Sequence, residues 1–136
     1  MQVDNLTVIV TFAALLVYLW TGLRAGRARV KYGVKAPATT GAPEFERALR
    51  VQMNTLEWLP LFLPSLWLFA HYWDSRIAAA VGAVWIVGRI LYGISYVQDP
   101  TKRGTGFGLQ ALSTAVLLFG ALGKAVYLLA TGAAVS

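Results

Sequence analysis

The sequence predicts an all-α integral membrane protein, a bundle of four transmembrane helices. Three observations predict it. The chain is 57% hydrophobic and only 13% charged, with a mean hydropathy of +0.59, too apolar for an ordinary soluble domain. Its apolar residues fall into four long runs separated by short polar stretches, each long enough to cross about 30 Å of hydrocarbon. The basic residues gather in two loops, the pattern of segments held on the cytoplasmic side. A single membrane domain over residues 1–136 is expected, with helices at about 6–32, 44–72, 76–98 and 105–131.

Composition also removes function classes. There is no cysteine, so disulfides, thiolate metal sites and a cysteine nucleophile are excluded. The single histidine, His71, cannot build a histidine-rich metal site, and no metal is expected. The net charge of +6 reads as a topology signal; membrane lipids, not nucleic acid, are the expected surroundings.

Residues 6–23, LTVIVTFAALLVYLWTGL, carry no charge. They lack a basic leader and a small-residue cleavage site, so the first helix reads as a retained anchor. Tyr18 and Trp20 near its end suit an aromatic belt. Arg24, Arg27, Arg29, Lys31 and Lys35 follow without an acid. They mark the cytoplasmic side and suit contact with anionic lipid. Gly33, Pro37, Gly41 and Pro43 turn the chain into a loop.

The second helix opens after Pro43 with Glu44 and Glu46 in its first turn, where negative charge complements the helix dipole. Pro60 and Pro64 inside it are expected to kink it and free carbonyls. Residues 71–76, HYWDSR, read as a turn at the far interface, and His71 as an interfacial side chain. In the third helix Ala78, Gly82 and Gly88 permit close packing. A loop with Lys102 and Arg103 leads to the fourth helix, where Gly120 and Gly123 suggest a packing face and Lys124 reaches outward. Gly106 and Gly108 lack Walker or Rossmann spacing. Both basic loops then lie on one side and both termini on the other.

One stretch breaks the rules for a membrane helix. Arg50, Asn54 and Glu57 are spaced four and three apart and share one helical face. Polar groups at membrane depth cost several kcal/mol unless paired or facing a wet cavity. Arg89, Tyr92 and Tyr96 form a second such face, ending near the same boundary as Arg103. One carboxylate among several guanidiniums suits a ligand with more than one carboxylate and an ammonium. Glutathione is such a ligand, and spacing does not separate it from other zwitterions. The bland alternative is that Arg50 and Glu57 merely pair, Arg89 snorkels and the tyrosines are belt residues.

The run FERALRVQMNTLEWLPLFLPSLW is similar to the FERxxRxQxNxxExxP signature of the MAPEG family, membrane-associated proteins in eicosanoid and glutathione metabolism. ARVKYGV, PATTGAPEFER and RILYGISYVQDPTKRG also resemble the family, in the right order. The nearest likeness is to the branch with the microsomal glutathione S-transferases, leukotriene C synthase and five-lipoxygenase-activating protein.

The resemblance implies a homotrimer of four-helix subunits with intersubunit sites facing the cytoplasm. It implies glutathione as co-substrate, held by Arg50, Asn54, Glu57, Tyr92 and Tyr96, with Arg29 and Gln52 joining from the neighbouring subunit. Arg103 matches the family arginine that stabilises the thiolate. Trp58 stands where a branch member has tyrosine, keeping an aromatic wall but losing a hydroxyl, and Val30 replaces a second arginine. The implied function is a detoxifying glutathione S-transferase acting on hydrophobic electrophiles, with glutathione peroxidase activity towards lipid hydroperoxides as a second expectation. The alternative is a non-catalytic lipid-binding scaffold like the lipoxygenase-activating branch. A transporter would need a polar path through the outer halves of the helices, which carry little beyond Lys124. A bacterial inner membrane is the expected location.

Overall fold

The computed structural model describes residues 4–133. Within them the chain forms four α-helices, α1 (Asn5–Lys31), α2 (Pro43–Tyr72), α3 (Ser75–Gln98) and α4 (Gly104–Thr131), with one 3-10 turn (Pro100–Lys102) before α4. Helix α1 packs on α2 and α3, and α4 packs on α3 and α2. Three of the four, α1, α3 and the segment Pro100–Thr131 that contains α4, are long and apolar enough to cross a membrane. Helix α2 is long enough, with 30 residues, but charged residues in its first half and two prolines with polar neighbours in its second lower its hydropathy.

The helix starts follow local chemistry. The Asp4 carboxylate accepts from the backbone N–H groups of Leu6 (2.8 Å) and Thr7 (3.1 Å). Asp74 does the same for Arg76 (2.7 Å) and Ile77 (3.2 Å) at the start of α3. Each carboxylate satisfies donors that an isolated helix leaves free. Helix α2 begins on Pro43, whose missing N–H costs nothing at that position. It continues through Pro60 and Pro64 as one helix, and the Ser65 hydroxyl donates to the Leu61 carbonyl at 2.6 Å.

The apolar core is built around Phe62 of α2 and Trp85 of α3, stacked with ring centroids 4.1 Å apart. Leu66, Leu117, Ala14 and Ala78 close around them. At the far end Trp73 donates to the Gly120 carbonyl at 2.9 Å and carries the Lys124 ammonium 4.3 Å from its ring centroid. Lys124 is thus held over an aromatic ring, not simply extended into solvent.

Helices α3 and α4 meet backbone to backbone. A Cβ at Gly88 would stand 2.8 Å from both the Gly106 carbonyl and the Gln110 nitrogen. A Cβ at Gly106 would run into the Tyr92 backbone. The packing role expected of Gly88 is therefore shared by Gly106. Two arginines also serve packing. Arg24 donates to the Gly93 carbonyl at 3.0 Å, with its guanidinium 4.8 Å from the Trp20 ring centroid, and Arg47 donates to the Val97 carbonyl at 3.4 Å. The Trp20 ring lies against Gly93, where a Cβ would come within 2.9 Å. Trp20 therefore also packs between helices: only glycine leaves α3 room for an indole.

Replacing Gly106 by alanine should destabilise the protein by about 1–3 kcal/mol, because backbone cannot move aside as a side chain can. Gly108→Ala, where nothing lies within 4 Å, should leave the thermal unfolding transition in detergent unchanged or slightly raised. Parallel melting curves of the two variants check this.

Candidate functional site

The polar faces of α2 and α3 meet at the arginine-rich end of the bundle. Arg50 lies 3.8 Å from Glu57 across two turns of α2, with both side chains more than half exposed (58% and 55%). Such a pair adds little stability. It does keep a guanidinium and a carboxylate next to each other and open to a ligand. Arg50 also lines a cleft of about 470 Å³ with Arg47, Met53, Tyr96 and Pro100.

Asn54, between them, is turned inward. Its Oδ1 accepts from Arg89 at 2.8 Å, and Arg89 donates a second bond to the Thr55 hydroxyl at 2.6 Å. The Thr55 hydroxyl donates in turn to the Val51 carbonyl at 2.7 Å. Arg89 is fully buried, so it does not snorkel. Its guanidinium is 4.5 Å from the Tyr92 ring centroid, and no ion pair among the described residues includes it. Several kcal/mol oppose burying an unpaired charge in this way; two hydrogen bonds and an aromatic face offset part of that.

An aromatic series runs from this point. Tyr92 stacks on Tyr96 (5.5 Å between centroids) and meets Phe107 of α4 at 6.0 Å; Phe107 meets Trp58 of α2 edge-on at 5.6 Å. Trp58 thus forms an apolar wall joining three helices. Phe107 was not singled out in the sequence, although it lies one turn after Arg103.

Arg103 is exposed at the start of α4, and its carbonyl accepts from the Phe107 N–H at 3.0 Å. No side chain caps that helix start, so free N–H donors and a guanidinium coincide there, an arrangement that favours an anion. The turn that places Arg103 is held by Asp99, whose carboxylate accepts from the Thr101 hydroxyl (2.8 Å) and N–H (3.0 Å). Those bonds, hydroxyl first, keep the Asp99 carboxyl below its usual range. Arg89, Arg50 and Arg103 all lie within electrostatic reach of the Tyr92 phenol.

The remaining expected residues stand apart from this cluster. Arg29 donates to the Ala38 carbonyl at 2.7 Å, and its guanidinium lies 4.7 Å from the Phe45 ring centroid. Gln52 points towards α1, near enough that a Cβ on Gly22 would sit 3.3 Å from its amide nitrogen. His71 is at the opposite end, lining a cavity of about 450 Å³ with Asp4, Thr7 and Ser75. Among the described residues no three His, Cys, Asp or Glu side chains are grouped to hold a metal ion.

A four-helix bundle with three apolar spans and a polar cleft at one end defines an integral membrane protein. A match to the MAPEG family covers residues 7–123. The chain belongs to that family. It is 56% identical over 114 residues to a Synechocystis protein described as uncharacterized, covering 84% of this chain and 83% of that one. It is 46% identical over 104 residues to human microsomal glutathione S-transferase 2, covering 76% of this chain and 71% of the relative. Guinea-pig (Cavia porcellus) leukotriene C4 synthase is 38% identical over 94 residues, 69% of this chain and 63% of the relative.

Glu57→Gln should shift stability by less than about 0.5 kcal/mol, since the pair it breaks is exposed. Thr55→Val should cost about 1–3 kcal/mol by leaving an Arg89 donor buried and unpaired. Thermal unfolding of the two variants in the same detergent separates these outcomes.

Proposed function

We propose that this protein is a microsomal-type glutathione S-transferase that joins the glutathione thiolate to lipophilic electrophiles arriving through the bilayer. The observation that carries this reading is the meeting of an open Arg50–Glu57 pair, the Asn54 amide, Tyr92 and Tyr96, and Arg103 at one end of the bundle. The relatives named as glutathione transferases support the same choice of co-substrate.

In this reading Arg50 takes a glutathione carboxylate through its guanidinium fork, and Glu57 accepts from the ammonium. Asn54, Tyr92 and Tyr96 hold the rest of the peptide. Arg103, with the free N–H groups at the start of α4, stabilises the sulfur as thiolate; its proton leaves to water. The thiolate attacks the electrophilic carbon, a C–S bond forms, and the leaving group departs with its electron pair. Trp58 and Phe107 form the wall against which the apolar substrate lies. With a lipid hydroperoxide the thiolate attacks the terminal peroxide oxygen instead. The O–O bond breaks, the alkoxide leaves and takes a proton from water to become the alcohol, and a second glutathione converts the sulfenic acid to disulfide and water.

The working unit in this proposal is a homotrimer. Helix α2 presents Arg50, Met53, Leu56 and Glu57 on a face its own neighbours leave exposed, and a second copy would close it while supplying Arg29 and Gln52. The cleft opens to the cytoplasm of a bacterial inner membrane in this topology, because the basic segments lie at that end.

The test is conjugation of glutathione to an aryl halide by purified protein, with thiolate absorbance followed on binding. Binding without turnover would favour a lipid-binding scaffold instead. Arg103→Ala should lower kcat about a hundredfold while changing KM little. Arg50→Ala should chiefly raise KM for glutathione. The thiolate fraction grows with pH, so a bound thiol ionising below the free value of about 8.5 reaches its rate plateau early. Losing Arg103 should move that plateau up by roughly one to two pH units; an unmoved pH–rate profile would overturn the assignment.

A further inference from the structure

The least explained group in the bundle is Arg89, fully buried, outside every ion pair among the described residues and with its Nε–H unpartnered. A guanidinium has five donors and no acceptor. Whatever side chain meets it must therefore turn an acceptor towards it. Asn54 does so: its Oδ1 receives the Arg89 bond at 2.8 Å. The amide is planar, so with the oxygen fixed inward its NH2 group is held on the other side. The opposite orientation would set NH2 against a guanidinium, two donors face to face inside the bundle. Asn54 is only half-buried and lies on the α2 face it shares with Arg50 and Glu57.

Resting on the glutathione reading above, we infer that Arg89 is a positioning residue that makes Asn54 an obligate hydrogen-bond donor to the substrate. The group of glutathione opposite Asn54 is then an acceptor, a carboxylate or a peptide carbonyl, and not the ammonium. Glu57 remains the acceptor of the face, so the α2 face reads cation, donor, acceptor in order. Thr55 completes the device. Its hydroxyl gives its proton to the Val51 carbonyl and so offers Arg89 only lone pairs. Two acceptors on adjacent residues of α2 hold the planar fork, which a lysine ammonium cannot match.

The experiment compares Asn54→Asp, Asn54→Ala, Arg89→Lys and the double variant Arg89→Lys/Asn54→Ala in the intact protein, by glutathione KM and by calorimetric binding of an S-alkyl glutathione. Asp keeps the bond to Arg89 but offers an acceptor outward, so Asn54→Asp should weaken binding at least about tenfold more than Asn54→Ala. Arg89→Lys should raise KM about tenfold with kcat within about twofold. The double variant should be no weaker than Asn54→Ala alone, because the effect of Arg89 passes through Asn54. Asn54→Asp binding as well as Asn54→Ala, or an additive double variant, overturns the inference while leaving the transferase reading intact. Wild-type protein that neither binds nor turns over glutathione overturns both. Should Arg89→Lys fail to assemble, the order of the two Asn54 variants decides by itself.

Discussion

A positive charge sealed among helices, with no carboxylate among the described residues to answer it, constrains everything near it. Arg89 donates to an amide oxygen and a hydroxyl of α2 and lies over the face of Tyr92 on α3. Each partner is fixed by the contact it makes with the guanidinium. Asn54 loses its choice of orientation, Thr55 is tied to the backbone of its own helix, and Tyr92 is held under the guanidinium. Its stacking on Tyr96 then carries order outward to the cleft. Water could satisfy any of these groups separately in a soluble protein. Inside the bundle that route is closed, so the buried polar groups at this end are organised by one another.

Helix–helix contact supplies the other half of the order. Apolar side chains gain little by meeting each other when the surroundings are equally apolar, so close approach and backbone contact carry the association. Gly88 and Gly106 provide that contact between α3 and α4. Arg24 and Arg47 add hydrogen bonds from α1 and α2 to carbonyls of α3. The basic residues after the first span thus divide: some mark an end of the bundle, and some hold it together.

The number and class of the helices were legible in the apolar runs. So was the shared face of Arg50, Asn54 and Glu57, because side-chain direction in a helix repeats with known period. Depth was not. Periodicity places Arg89 beside Tyr92 and Tyr96, yet it cannot say whether a cation on a long stem reaches out to the interface or is enclosed. Thr55 was invisible for a related reason: a hydroxyl bonded to its own backbone reads in sequence like any helical threonine. Gln110 is fully buried on α4 with its amide unpartnered among the described residues, and nothing in its local sequence announces that. Phe107 joins Trp58 to Tyr92 only once α4 lies across the other two helices. Trp20, read as an interfacial ring, needed the position of Gly93 before its packing role emerged.

The glycine crossing has a mechanical consequence. Two helices in backbone contact have no compressible layer between them, so α3 and α4 form a stiff plate. Tyr92, Tyr96, Phe107 and Arg103 are all mounted on that plate or at its edge. Arg50 and Glu57, by contrast, are long side chains standing exposed on α2. The candidate site therefore has one side backed by helix–helix backbone contact, carrying the rings and the Arg103 charge, and one built of long side chains. In the proposed transferase reading, a ligand that varies in length would be taken up by the α2 side, while its reactive atom would stay referenced to the α3–α4 side.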